Sequence, residues 1–204
     1  MTAAPRRLKN TAHADAQRDR ILIAARESFV RYGFHAASMT LIAEAAGVSV
    51  GLIYRYFENK RAIILAIIEQ QLEENRGRIG LLKAAPDFAL AVFQIFDNWR
   101  RNQVGMADCV LAAEITAEAS RDPAILGALR ASEQELRTWF CAWLTDSVAV
   151  GGKGLPVEVA QQRAISLQCF MDGLSMRLIS EPDIAPTVLE SMITHFIDAL
   201  FNDV

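Results

Sequence analysis

Apolar residues recur at helical spacing along almost the whole chain, and no segment shows the two-residue alternation between hairpin turns that a sheet requires. The pattern predicts an all-α fold of about nine helices. Leu22, Ala25, Phe29 and Tyr32 share one face of a first helix over about residues 15–32, which Gly33 stops. Two short helices with unusually close turns follow. Ser38 caps one that runs to Ala46, Gly47 supplies the positive φ of a tight turn, and a third helix runs from about Val50 to Tyr56. Asn59 then caps a fourth helix with Ile64, Ile67, Ile68, Gln71 and Leu72 on one face, ending near Gly77.

Composition allows a real core: 52% of the 204 residues are hydrophobic, and 11 Gly with 6 Pro fall well short of a disordered composition. The longest apolar run, Ala62 to Ile68, is far below the ~20 residues of a membrane-spanning helix. The chain opens on Pro5-Arg6-Arg7 instead of an apolar signal region, so a soluble cytoplasmic protein is expected. Cys109, Cys141 and Cys169 are scattered, without CxxC spacing, and imply neither a disulfide framework nor a metal cage. Charge is divided unevenly: residues 1–61 carry +5 and residues 62–204 carry −8, giving the net −3. A basic head on an acidic body is the electrostatic footprint of a polyanion partner.

Beyond Gly80 the helices lengthen, and Pro86, Pro123, Pro156 and Pro186 mark their starts. Asp122-Pro123 opens a helix with Leu129, Leu136, Trp139, Phe140 and Trp143 on its inner side. Gly151-Gly152-Lys153-Gly154 breaks it; the spacing is that of a linker, not of a phosphate loop. The closing helices, about 156–180 and 186–202, carry a stripe of Leu167, Leu174, Leu178, Leu189, Ile193, Phe196 and Leu200. A stripe this wide is expected to pack inward and still leave a self-complementary face for a homodimer. The organisation expected is a flexible basic tail over residues 1–14, a DNA-binding unit over 15–60, and a helical body over 61–204 for effector binding and dimerisation. The tail's Arg6, Arg7 and Lys9 could reach a minor groove as an arm.

The segment Ser38 to Phe57 has the anatomy of a helix-turn-helix. Ala43 is small where the helices cross, Gly47 permits the turn, and Ile42, Ala46, Val48, Ile53 and Phe57 form the shared wedge. That leaves Ser49, Val50, Gly51 and Leu52 free on the second helix, with Tyr54 and Tyr56 further along. The start of such a helix enters the major groove of double-stranded DNA, where Val and Leu meet thymine methyls and a tyrosine hydroxyl bonds phosphate or a base edge. Ile42-Ala43, Ala46-Gly47-Val48-Ser49, Gly51, Tyr54-Arg55-Tyr56-Phe57 and Asn59-Lys60, after Tyr32-Gly33-Phe34, resemble the N-terminal DNA-binding domain of TetR-family transcriptional regulators. The resemblance covers roughly the first 70 residues. It implies that Ser38 and Thr40 meet phosphate or bases, that Val50, Gly51, Leu52 and Tyr54 face the groove, and that Tyr56 and Lys60 contact phosphate. It also implies a variable helical body that dimerises through its last two helices and holds a small-molecule pocket.

Candidates for that pocket are Phe96, Trp99, Met106, Cys109, Trp139, Trp143, Phe170 and Met171, near polar groups such as Asp108, Glu114 and Asp172. Such a lining suits an apolar or cationic effector. His13, His35 and His195 are isolated, and no HExxH, GxSxG or dinucleotide glycine set is present, so neither an enzyme nor a bound cofactor or metal is expected. The reading is a repressor released from a palindromic operator by a small molecule, with half-sites about 34 to 36 Å apart for a twofold dimer. An activator of the same fold, or a helical interaction protein that binds no DNA, are the alternatives.

Overall fold

The computed structural model describes residues 4–202, with the side chains of 14–102 and 105–201. Among the described residues the chain forms nine α-helices, one short 3-10 turn and no strand. α1 spans Ala4–Ala36, α2 Met39–Ala46, α3 Val50–Tyr56, α4 Lys60–Ala84 and α5 Phe88–Arg101; α6 spans Gln103–Ala119, α7 Pro123–Thr145, α8 Val157–Ser180 and α9 Pro186–Asn202. The backbone of α1 begins at Ala4 and not near residue 15; the side chains of Arg6, Arg7 and Lys9 lie outside the described residues. Gly33 breaks α1 where expected, at φ 73° and ψ 162°, a conformation open to glycine and strained for other residues. α4 runs past Gly77 to Ala84, because Ile79 and Leu82 beyond it are buried. Their burial offsets the ~1 kcal/mol that each helical glycine costs.

Two clusters of buried side chains organise the fold. The first joins Ile21, Leu22 and Phe29 of α1 with Ile42, Ile53 and Phe57, and continues onto Ile63 to Ile68 of α4, Leu111 and Ile115 of α6, and Ile125 of α7. The second gathers Phe88, Val92 and Phe96 of α5 with Phe140, Trp143 and Leu144 of α7 and the inner faces of α8 and α9. α4 belongs to both, through its early isoleucines and then Ile79 and Leu82. α6 touches head and body, packing on α1 at one side and on α5, α7 and α8 at the other.

The dimerisation stripe expected on the last two helices faces the other way. Leu167, Leu174, Leu178, Leu189, Ile193 and Leu200 are no more than 9% exposed within the protomer's own core, and Phe196 stacks on Phe170 with centroids 3.8 Å apart. Periodicity marks an apolar face but not what covers it, and α5 and α7 cover this one. The large apolar side chains left outside on α8 and α9 are Val157, Ile165, Met176, Val188 and Met192.

Candidate nucleic-acid interface and effector cavity

Two serine caps and one glycine turn aim the third helix outward. Ser38 Oγ accepts the Leu41 N–H at 3.1 Å, and Ser49 Oγ accepts the Leu52 N–H at 3.2 Å. Both side chains are exposed, and each hydroxyl proton stays available to an outside acceptor. Gly47 sits at φ 62° and ψ 39°, returning its N–H to Ala43 and Glu44. Ile42, Ala43, Ala46, Ile53 and Phe57 are buried as the wedge, with Val48 half-buried at its rim.

The face left open on α3 holds Ser49, Gly51, Tyr54 and Arg55, with Tyr54 54% exposed; Thr40 is exposed on α2. Val50 and Tyr56 are half-buried against the head core, and Leu52 is half-buried at the other edge. The face is therefore narrower than expected. Arg55 was missed, although its place four residues after Gly51 is a signal the sequence carries.

Lys60 departs furthest from its expected role on phosphate. Its Nζ donates to the carbonyls of Phe34 at 2.6 Å and His35 at 3.0 Å and lies 4.6 Å from the Phe34 ring centre. Burial lowers its pKa, against the opposing pull of the Glu118 carboxylate. The ammonium thus closes the broken end of α1, and what Lys60 can still offer an anion is its backbone N–H in the first turn of α4.

That broken end is also where head meets body. Glu114 Oε2 accepts the Phe34 N–H at 3.0 Å, and His35 Nε2 lies 3.3 Å from Glu118 Oε2. One turn on, Arg61 of α4 approaches Asp122 at 3.6 Å. Glu114, expected near the pocket, faces the head instead.

The opposite side of α6 lines a cavity of about 280 Å³ through Asp108, Cys109, Ala112, Ile115 and Thr116. Of the expected lining, Phe96, Trp99, Cys109 and Met171 are present; Met106, Trp139, Trp143 and Phe170 are not. Trp143 packs on Phe88 and donates Nε1–H to the Gly151 carbonyl at 2.9 Å, and Arg76 lies over Trp139 at 5.1 Å. Met106 packs against the body core.

Four carboxylates reach this cavity, Glu74, Asp108, Glu133 and Asp172, against one arginine, Arg78. The Arg78 guanidinium lies 5.6 Å from the Trp99 ring centre and 3.6 Å from Asp108. Desolvation pushes Asp108 up, with Arg78 and Arg26 opposing. Desolvation also raises Glu133, helped by Asp172 and opposed by Arg137, and raises Asp172. Burial drives the Cys109 thiol up to about 11, so it is no nucleophile near neutrality.

A helix-turn-helix with an outward third helix, joined through α4 and α6 to a body with a cavity, defines a DNA-binding regulator with a small-molecule-binding domain. The family model for bacterial regulatory proteins of the tetR family matches residues 21–67, and that for the C-terminal domain of BetI-type transcriptional repressors matches residues 94–202. The chain is 30% identical over 138 residues to the transcriptional regulator UidR of Escherichia coli K12, covering 68% of this chain and 69% of that one. GusR of Salmonella enterica superposes with a TM-score of 0.70 at 27% identity, covering 92% and 96% of the two chains. A transcriptional regulator from Saccharomonospora viridis in complex with choline gives 0.70 at 17% identity, covering 91% and 96%. The chain belongs to the TetR family of transcriptional regulators, with a C-terminal domain of the BetI type.

Proposed function

We propose that this regulator is a cytoplasmic homodimeric repressor without catalytic activity, released from a palindromic operator by an amphipathic organic cation. The observation that carries the DNA half is the open face of α3, where Gly51 lets the duplex approach between Tyr54 and Arg55. Ser38, Thr40 and Ser49 stand at the N-termini of α2 and α3, where phosphate is bound most readily. The match to BetI-type repressors supports repression over activation. Footprinting of the purified protein on genomic DNA of its source tests the reading: a protected palindrome is expected, and uniform cleavage at every concentration would refute it.

Dimerisation is assigned to the faces of α8 and α9 that carry Ile165, Met176, Val188 and Met192, exposed by 37% to 55%. A twofold four-helix contact would bury them and hold two α3 helices in successive major grooves.

The cation half rests on Arg78. Its guanidinium already occupies the space between Trp99 and Asp108, so the cavity is built to stabilise a positive charge on an aromatic face beside carboxylates. The choline-bound neighbour shares the fold alone, but makes choline the first probe to try. Binding is transmitted by α6: a cation in the cavity moves Asp108 and Ala112, and Glu114 and Glu118 carry that movement to Phe34 and His35. Calorimetry with choline and a gel shift with the footprinted duplex test this together; a ligand that binds the cavity while DNA affinity stays constant overturns the coupling.

A further inference from the structure

A second basic feature of the head adjoins the helix-turn-helix face and shares Arg55 with it. Between α1 and α3 runs an open crevice of about 470 Å³, floored by Gly47 and Val48 and walled by Gln17 and Arg20 of α1 and by Leu52, Arg55 and Tyr56 of α3. Among the described residues none of its lining is acidic. The other arginines on this part of α1 are engaged across the head: Arg18 approaches Glu69 at 3.9 Å and Arg26 bonds Glu74 at 3.1 Å. Arg20 and Arg55 meet no acidic or hydrogen-bonding partner among the described residues. Arg20 lies over the glycine turn, its Nη2 2.6 Å from where a Cβ on residue 47 would stand. Gln17 adds an independent observation. Its Oε1 is buried and meets no hydrogen-bond donor among the described residues.

We propose that this crevice seats a phosphate of the DNA backbone beside the groove that α3 enters, held by Arg20 from α1 and Arg55 from α3. Two cations on separate helices over a glycine turn suit a phosphodiester, which needs charge and hydrogen bonds but presents no base to read. The crevice is open to solvent and meets the α3 face at Arg55, so a backbone phosphate can reach it from that side. The contact would fix how deeply and at what angle α3 sits, and would add affinity without sequence preference. The inference rests on the DNA-binding reading above.

The test is a salt titration of the full-length protein on two duplexes, the footprinted site and one of mixed sequence, with Arg20→Ala, Arg55→Ala, Arg20→Lys and the double alanine variant. Each alanine change should weaken binding about tenfold on both duplexes, about one charge-assisted hydrogen bond. It should flatten the plot of log affinity against log salt by about one phosphate per head, and Arg20→Lys should keep the slope. Both arginines are exposed, so melting temperatures should not change; a variant that melts early is replaced by Arg20→Gln, which must give the same slope. An unchanged slope, or a loss confined to the footprinted duplex, overturns the proposal. So does inorganic pyrophosphate that raises the melting temperature of the wild type but not of the alanine variants, while DNA slopes stay equal, since the crevice then serves a free anion. If the wild type binds neither duplex at low salt, the DNA-binding reading fails first, and that outcome is distinct from the others.

Discussion

Head and body solve opposite electrostatic problems with the same element, a helix face. In the head, the side chains of Arg20 and Arg55 meet no acidic partner among the described residues, and a polyanion would neutralise them. In the body, Asp108, Glu133 and Asp172 line a cavity that raises their pKa values, where a cation would relieve them. Under the function proposed above, a polyanion goes to the arginines of the head and a cation to the desolvated carboxylates of the body, where Arg78 already meets Asp108. α6 lies between the two, with Asp108 on the cavity and Glu114 and Glu118 on the head.

The comparison predicts that the head is useless singly, and the largest effect should come from separating its two copies. Val188→Asp with Met192→Asp places four carboxylates in a twofold contact, each pair costing several kcal/mol. Native mass measurement should report monomers, and operator affinity should fall about a thousandfold or more. A dimer that survives both changes would move the interface elsewhere. Tyr54→Ala comes next. Losing about 1–3 kcal/mol at each of two heads lowers affinity for the footprinted duplex by roughly 30-fold to 10⁴-fold, with melting and dimer mass unchanged. Equal loss on a mixed-sequence duplex would make Tyr54 a phosphate contact and leave base reading to its neighbours.

Head and body also differ in how far they could be read in advance. The α2–α3 pair depends on local chemistry: Ser38, Gly47, Ser49 and Asn59 each act within four residues of themselves; Ser38, Gly47 and Asn59 occupy the cap or turn positions expected, and Ser49, expected only on the open face, caps α3 as well. Lys60 breaks that pattern because its partners, the carbonyls of Phe34 and His35, were freed by a helix break far back in the chain. In the body the apolar stripes were correct as stripes, but which helix covers each is a tertiary fact. Leu167 and Ile193 turned inward for that reason, and Trp139 and Trp143 were drawn into packing while Arg78, Glu133 and Ser132 took the cavity wall. Gly77 and Gly80 likewise failed to stop α4, since burial at Ile79 and Leu82 outweighs propensity.

A change at the junction sharpens the comparison by cutting head from body. Glu114→Ala leaves the Phe34 N–H without its acceptor at the Gly33 break, a cost of about 1–3 kcal/mol in a partly buried setting. Melting should fall by several degrees, and a cavity ligand should still bind while releasing DNA less completely. Glu114→Gln, whose amide oxygen can accept the same N–H, should restore both. Release that is intact in the alanine variant would locate the coupling elsewhere, at Glu118 or Asp122.

The smallest effect, and the most diagnostic of the body, is its pH dependence. Glu133 and Asp172 have raised pKa values, so the folded state holds their protons more tightly than the unfolded chain does. The stability they contribute is complete below the ordinary carboxylate range and is lost as pH rises through their elevated values. Asp97 runs the other way: burial pushes it up, but hydrogen bonds from Arg100 and Arg101 outweigh that, and the stability it brings is lost as pH falls through its lowered value. Glu133→Gln should therefore melt higher than wild type at neutral pH, with the difference vanishing on acidification. Choline should invert the order, since it needs the ionised carboxylates: it should raise the wild-type melting temperature at neutral pH, do so less as pH falls, and do little for the variant. An unliganded variant that melts lower than wild type at neutral pH would mean that Glu133 is held by its neighbours Gln168 and Arg137 as a structural charge, and the head alone would then be charged for a ligand.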